Sequence, residues 1–245
     1  MNLLQTFRAL GPVDYYNVRR DPLLKWMVFL PIVAALALRV LIPLVGGLLR
    51  QQAGIEIRPY DTLINSMLFS IMPMMVGMII GFLLLDQRDD RTLTALQVTP
   101  LSLGGYLRYR LSLPLILALL ASLLMVRLAG IGPVYFPAVL MAALASAPLG
   151  PLSALFYAAV AKNKVQGFAV MKASGVFFFP AVAAYFFAEP AQWLFGLAPT
   201  YWSAKTYWLA QSGSPWAWAA LLISLLYPAG LIYLLQHSYR RTAGE

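Results

Sequence analysis

The sequence contains no cysteine, one histidine and very little charge. Without cysteine it can build neither a disulfide framework nor a thiolate metal site. His237 is the only histidine, so a metal or haem centre held by several imidazoles of one chain is excluded. A serine–histidine–aspartate triad would have to be assembled around that residue, near the end of the sequence. No G-x-x-x-x-G-K-[ST] loop occurs, so the chain does not itself cradle ATP in that manner. Charged residues are 11% of the 245 and hydrophobic ones 61%. That polar surface is too small to cover a water-soluble domain, and lipid is the expected solvent. A net charge of +9 would suggest nucleic acid in a soluble chain. Here no nucleic-acid partner is expected, and the placement of the charges carries the information. The first twenty residues include Asp14 and Gly11-Pro12, read as a turn, and lack a continuous apolar run. A secretory signal is therefore not expected.

Crossing about 30 Å of hydrocarbon takes roughly 20 apolar residues in a helix. Six stretches meet this: Trp26–Val45, Thr62–Leu85, Leu111–Gly130, Pro137–Val160, Phe168–Ala188 and Pro215–Gln236. Backbone groups in lipid must be satisfied within their own segment, so the expected class is all-α, a polytopic protein with six transmembrane helices. It reads as one transmembrane domain over 1–245. Residues 1–25 form a cytoplasmic amphipathic helix and connector, 26–236 the spans, and 237–245 a basic cytoplasmic tail. Leu3, Leu4, Phe7 and Leu10 at helical spacing suggest that the first helix lies on the membrane surface. With both ends inside, thirteen of the eighteen basic residues fall on cytoplasmic segments; only Arg50, Arg58, Arg127 and Lys205 fall outside, and Arg39 lies within the first span. This bias predicts the N-in, C-in orientation of a multi-pass protein in a prokaryotic cell membrane. Trp193, Trp202, Trp208, Trp216 and Trp218 cluster on the predicted outer side, where indoles suit the headgroup layer. Within that cluster, Pro199–Lys205 reads as a short interfacial or re-entrant helix.

The connection after the second span holds most of the charge in the middle of the chain: Asp86, Gln87, Arg88, Asp89, Asp90 and Arg91, followed by Thr92, Leu93, Leu96 and Thr99-Pro100. Acids ahead of Leu93, Leu96 and Val98 suit the positive N-terminal end of a short helix. Thr99 then serves as an N-cap and Pro100 as the first residue of a restarted helix. From physics alone the stretch is either a docking helix for a cytoplasmic partner or a solvated connector.

The stretch resembles the signature of the type-2 family of ABC exporter permeases, an acidic cluster before G-T-L, a leucine, [ST]-P-[LM]-S and a tyrosine–leucine pair. This sequence supplies Thr92-Leu93, Leu96, Thr99-Pro100-Leu101-Ser102 and Tyr106-Leu107. Arg91 stands where many members have glycine, and Gln87 where the leading glutamate would fall. Together with Lys162-Asn163-Lys164 and Pro199-Thr200-Tyr201-Trp202, the wording is most similar to permeases of fluoroquinolone export. The resemblance implies a transport subunit without its own ATPase. A separate ABC ATPase carrying ATP and magnesium would dock on the helix around Arg88–Val98, with coupling residues from Asp86 to Pro100 and a second contact at Lys162, Asn163 and Lys164. A second permease subunit, identical or not, would complete the transporter, which moves a hydrophobic or amphipathic compound outward.

Within the second span, Asn65, Ser66, Ser70 and Met74 are candidates for a substrate pathway; the polar three could equally bond across helices, and Met74 could be ordinary packing. Gly77 and Gly81 form a G-x-x-x-G that permits close helix approach, within one subunit or at a dimer seam. No acidic residue lies inside a predicted span, which disfavours a proton- or sodium-coupled carrier. Arg39 is read as snorkelling outward. The competing readings are an ATP-independent membrane carrier and an integral-membrane enzyme, and no reactive pair supports the latter.

Overall fold

The computed structural model describes residues 3–89 and 103–242. Helices account for the described residues apart from short connectors, and no strand occurs among them. The helices are α1 (Leu3–Arg20), α2 (Pro22–Ala53), α3 (Asp61–Asp89), α4 (Leu103–Ala129), α5 (Phe136–Ser146), α6 (Leu149–Val160), α7 (Lys164–Ser174), α8 (Phe179–Tyr185), α9 (Pro199–Gln211) and α10 (Ala217–Thr242). Six segments are long and apolar enough to cross a membrane. Each overlaps an expected span. The protein is a multi-pass, all-α membrane protein.

Boundaries follow local chemistry. Asp21 caps α2, its Oδ1 accepting from the N–H groups of Leu23 (2.8 Å) and Leu24 (3.2 Å), with Pro22 at the first position. Gly54, at φ +66°, ends α2 in a left-handed cap that returns an N–H to the Leu49 carbonyl. α3 and α4 both reach beyond the expected spans, α3 running on through Asp89 and α4 starting at Leu103. Gly11-Pro12 is not a turn: α1 passes through both residues. Its outward side carries Leu3 and Leu4, while Thr6 and Asp14 face inward and are buried.

Two expected spans are interrupted. The fourth breaks between α5 and α6 at Ala147-Pro148, where the N–H groups missing from Pro148 and Pro151 interrupt the hydrogen-bond ladder. The fifth divides into α7, a 3-10 turn at Gly175–Phe178, and α8, whose start is set by Pro180. Thr200 Oγ1 donates to the Phe177 carbonyl at 2.6 Å, pairing an oxygen at this break. α9 is no surface helix. Thr200, Tyr201, Ser203, Ala204, Thr206, Tyr207 and Ala210 are buried against α3, α5 and α10, which makes it re-entrant.

α3 is the central mast. Twenty of its 29 residues are buried, against four of 32 in α2, whose surface is left to lipid. α3 and α6 run parallel in close contact. A Cβ on Gly77 would lie 1.9 Å from Ser153 Oγ and 2.3 Å from the Gly150 carbonyl oxygen, and one on Gly81 would lie 2.9 Å from Tyr157 Cβ. The glycine pair therefore packs inside the subunit. Gly167 brings α7 onto the same helix, where a Cβ would come within 2.9 Å of Leu85.

Gly77→Ala should accordingly lower thermal stability in detergent by about 1–3 kcal/mol, the range for an overpacked core. Gly47→Ala, whose new methyl meets nothing within 4 Å, should leave the melting temperature unchanged or raise it. Equal behaviour of the two variants would refute the close-packing account.

Candidate functional site

The ends of α3, α6 and α10 and the starts of α2, α4 and α7 share one face of the bundle with α1. The chain's polar side chains knit this face together. Asp86, in the last turn of α3, and Asp21, at the α1–α2 junction, both hold Lys164 at the start of α7, with Nζ–Oδ2 distances of 3.0 and 2.5 Å. Gln87 Oε1 accepts from the Tyr106 hydroxyl of α4 at 2.8 Å. Arg88 donates to the carbonyls of Ala158, at 3.2 Å, and Ala161. Those carbonyls belong to the end of α6, where orphan acceptors and the negative dipole end favour a cation. Asn163 caps α7 through the Gln166 N–H at 2.9 Å, while Gln166 Oε1 returns to the Lys162 N–H at 2.9 Å.

Burial would raise the Asp21 carboxyl, but Lys164 and the N–H groups of Leu23 and Leu24 outweigh it and hold it below its ordinary 3.8.

A second cluster sits beside the first. Asp14 of α1 takes both terminal nitrogens of Arg110 of α4, at 2.7 and 3.0 Å, and the Tyr109 hydroxyl at 2.7 Å. Their side chains are only 7% and 2% exposed. The Arg110 guanidinium lies 5.1 Å from the Tyr106 ring and 5.3 Å from the Tyr109 ring, and Phe7 meets Tyr109 edge-on. In the sequence Arg110 is one of the thirteen basic residues on cytoplasmic segments and is not singled out. The available signal was the spacing of Tyr106, Tyr109 and Arg110, which places all three on one side of a helix.

Asp86, Gln87 and Arg88 are thus engaged within the chain. Asp89 and Lys162 are exposed. Asp90, Arg91, Thr92, Leu93, Leu96, Thr99 and Pro100 lie outside the described residues. Of the four candidates in the second span, three make internal bonds. Asn65 Nδ2 donates to the Ile131 carbonyl at 2.8 Å, Ser66 Oγ to Leu63 of its own helix at 2.7 Å, and Ser70 Oγ lies 3.4 Å from Ser203 Oγ of α9. Met74 alone reaches a cavity. This space of about 440 Å³ lies between α3, α6, α9 and α10, and Met74, Phe156, Tyr157, Phe177, Thr200 and Leu231 are among its lining residues. Its wall is almost wholly apolar and aromatic. The Arg39 side chain extends toward the end of α4, where its Nη1 donates to the Leu128 carbonyl at 3.3 Å. Among the described residues no group of three or more histidine, cysteine or acidic side chains comes together to hold a metal.

Residues 14–236 match the family model described as Rv2686c-like, fluoroquinolones export permease protein Rv2686c-like. Two relatives from Mycobacterium tuberculosis are each 28% identical over 236 residues, covering 95% of this chain and 93% of theirs. They are the fluoroquinolones export permease proteins MT2760 of strain CDC 1551 / Oshkosh and Rv2686c of strain ATCC 25618 / H37Rv. No solved structure matches the chain.

Removing one partner of the buried Asp14–Arg110 pair should be costly. Arg110→Met is expected to destabilise the protein by about 3–5 kcal/mol, because it strands a buried carboxylate. Adding Asp14→Asn should recover part of that loss, and a strictly additive double variant would show that the two side chains do not interact. The lowered Asp21 acidity sets a pH dependence. Its contribution to stability is complete above about pH 4 and drains as pH falls through the lowered value. Acid titration of the melting temperature should therefore be shallower in Asp21→Asn than in the parent chain.

Proposed function

The chain belongs to the Rv2686c-like family of fluoroquinolones export permease proteins, and on that premise we propose that it is the membrane-spanning subunit of an ATP-driven ABC exporter. Its α1 face is cytoplasmic, giving both termini inside. A separate ABC ATPase, binding ATP and magnesium, docks at the segment following α3, around Leu93 and Leu96, with Lys162 and Asn163 as a second contact. A second permease subunit completes the pathway. The cargo is a hydrophobic or amphipathic compound, and the relatives are named for fluoroquinolones, which are planar aromatic drugs.

The observation that carries this reading is the way Asp86, Gln87 and Arg88 bind the end of α3 to α4, α6 and α7, with Lys164 adding the α1–α2 junction. A force applied just beyond Asp89 would move these elements as one unit rather than bending one helix. The apolar cavity beside Met74, Phe156 and Tyr157 lies on that unit, and its thioether and ring faces suit an aromatic cargo of variable shape.

The test is reconstitution of the chain with its co-purifying ATPase in proteoliposomes, with fluoroquinolone transport and ATP hydrolysis read together. Leu93→Asp or Leu96→Asp should cut coupled transport by about tenfold or more, the loss of one interface hot spot, while the melting temperature holds. Undiminished transport in both variants would remove the docking assignment. Transport by the chain alone, driven by an ion gradient, would replace the ATP-driven reading with a self-powered carrier.

A further inference from the structure

The face opposite α1 contains a second cavity, of about 530 Å³ and of different chemistry. It opens between α2, the turn before α3 and the α4–α5 loop. Arg39, Arg50 and Arg58 line it, together with Glu56 and Asp61. Three cations and two carboxylates converging on one space form a site with both signs of charge. Only part of this charge is committed elsewhere. The Arg50–Glu56 contact is long, 3.9 Å, with side chains 75% and 58% exposed, so both can turn to a ligand at little cost.

Depth decides what such a site meets. Arg39 lies 17 residues past Pro22, about 26 Å along α2, and Arg50 about 42 Å along it. With Pro22 at the near edge of a hydrocarbon core of about 30 Å, Arg39 sits about 4 Å short of the far edge and Arg50 about 12 Å past it, so the cavity between them spans the headgroup layer. The wall that α2 presents is open there. Gly46 and Gly47 line the cavity, and a Cβ on Gly47 would meet nothing within 4 Å. Val40, Leu44 and Leu48 of the same helix are exposed to lipid, a surface along which acyl chains can lie.

We propose that this cavity binds the headgroup of a phospholipid carrying a phosphodiester and a primary ammonium, drawn from the leaflet opposite α1. The guanidinium groups supply forked donors for the phosphate oxygens. Asp61 and Glu56 accept from the ammonium N–H groups. A choline headgroup has no N–H to donate, and a glycerol headgroup has no cation, so the two-signed lining discriminates against both.

The experiment is native mass spectrometry of the full chain in mild detergent with phosphatidylethanolamine, phosphatidylglycerol and phosphatidylcholine of identical acyl chains. Soluble glycerophosphoethanolamine serves as the chain-free headgroup. Phosphatidylethanolamine should be retained about tenfold more tightly than phosphatidylcholine, the worth of one charge-assisted hydrogen bond. The Arg39→Gln/Arg58→Gln variant should weaken retention of all three lipids. Asp61→Asn should erase the preference for the ammonium headgroup. Asp61 packs closely on Gly132, so Glu56→Gln, at an exposed side chain, provides a second variant that should narrow the same preference. Equal retention of the three lipids overturns the proposal, as does unchanged retention in a double arginine variant that keeps its melting temperature. Equally tight binding of the soluble headgroup overturns the lipid assignment in favour of a water-soluble zwitterion.

Discussion

The contact between α3 and α6 at Gly77 and Gly81 sets the spacing of everything around it. Two parallel helices whose axes approach this closely place their C-terminal carbonyls side by side, an arrangement their dipoles oppose. Arg88 answers that opposition. It extends from the last turn of α3 to the carbonyls of Ala158 and Ala161 at the end of α6. The chain can then turn sharply through Asn163 into α7, whose Gly167 packs against Phe82 and Leu85 of α3. Lys164 consequently falls between Asp86 and Asp21. A larger residue at position 77 would displace the helix that Arg88 caps, and the ion cluster depends on that cap.

The six apolar runs were legible because length and hydrophobicity are what lipid demands of a spanning helix. So were the glycine pair and the helical character of Pro199–Lys205. The interruptions were not. Pro148 and Pro180 break their helices, whereas Pro12, Pro31, Pro43, Pro73, Pro114 and Pro228 are carried inside helices without ending them. Proline alone does not separate these outcomes, since neighbouring groups decide whether the freed carbonyl finds a donor. Thr200 reaches Phe177 from more than twenty residues away. The Asp14–Arg110 pair was hidden for the same reason, because its members are 96 residues apart. For Asn65, Ser66 and Ser70 the sequence leaves cargo contact and bonding across helices equally open. Asn65 meets a loop and Ser70 a re-entrant helix that only the fold brings near, while Ser66 bonds back to its own helix.

The two ends of the bundle differ in character. On the α1 side, Asp14, Asp21, Asp86, Arg88, Arg110 and Lys164 are paired with named partners at short range, which ties the helices there together. On the other side, the arginines and carboxylates face an open space, and three of the five clustered tryptophans (Trp193, Trp216 and Trp218) are exposed. The apolar cavity beside Met74 lies between these ends. A permease has to exchange molecules with its surroundings, and the open, charged end suits that need.

The burial of α3 also bears on how the protein is made. The chain enters the bilayer in sequence order, so α3 arrives before α4, α6 and α9, which cover most of its surface. For that interval its glycine seam, Asn65 and both serines face lipid or one another's backbone. Thr62 to Leu85 carries no charged residue, and this neutrality lets the segment insert alone. Its polar atoms are few enough to wait. Completion of the core is therefore a late event in biogenesis, reached only when the re-entrant helix has been synthesised and folded back against a mast already standing in the membrane.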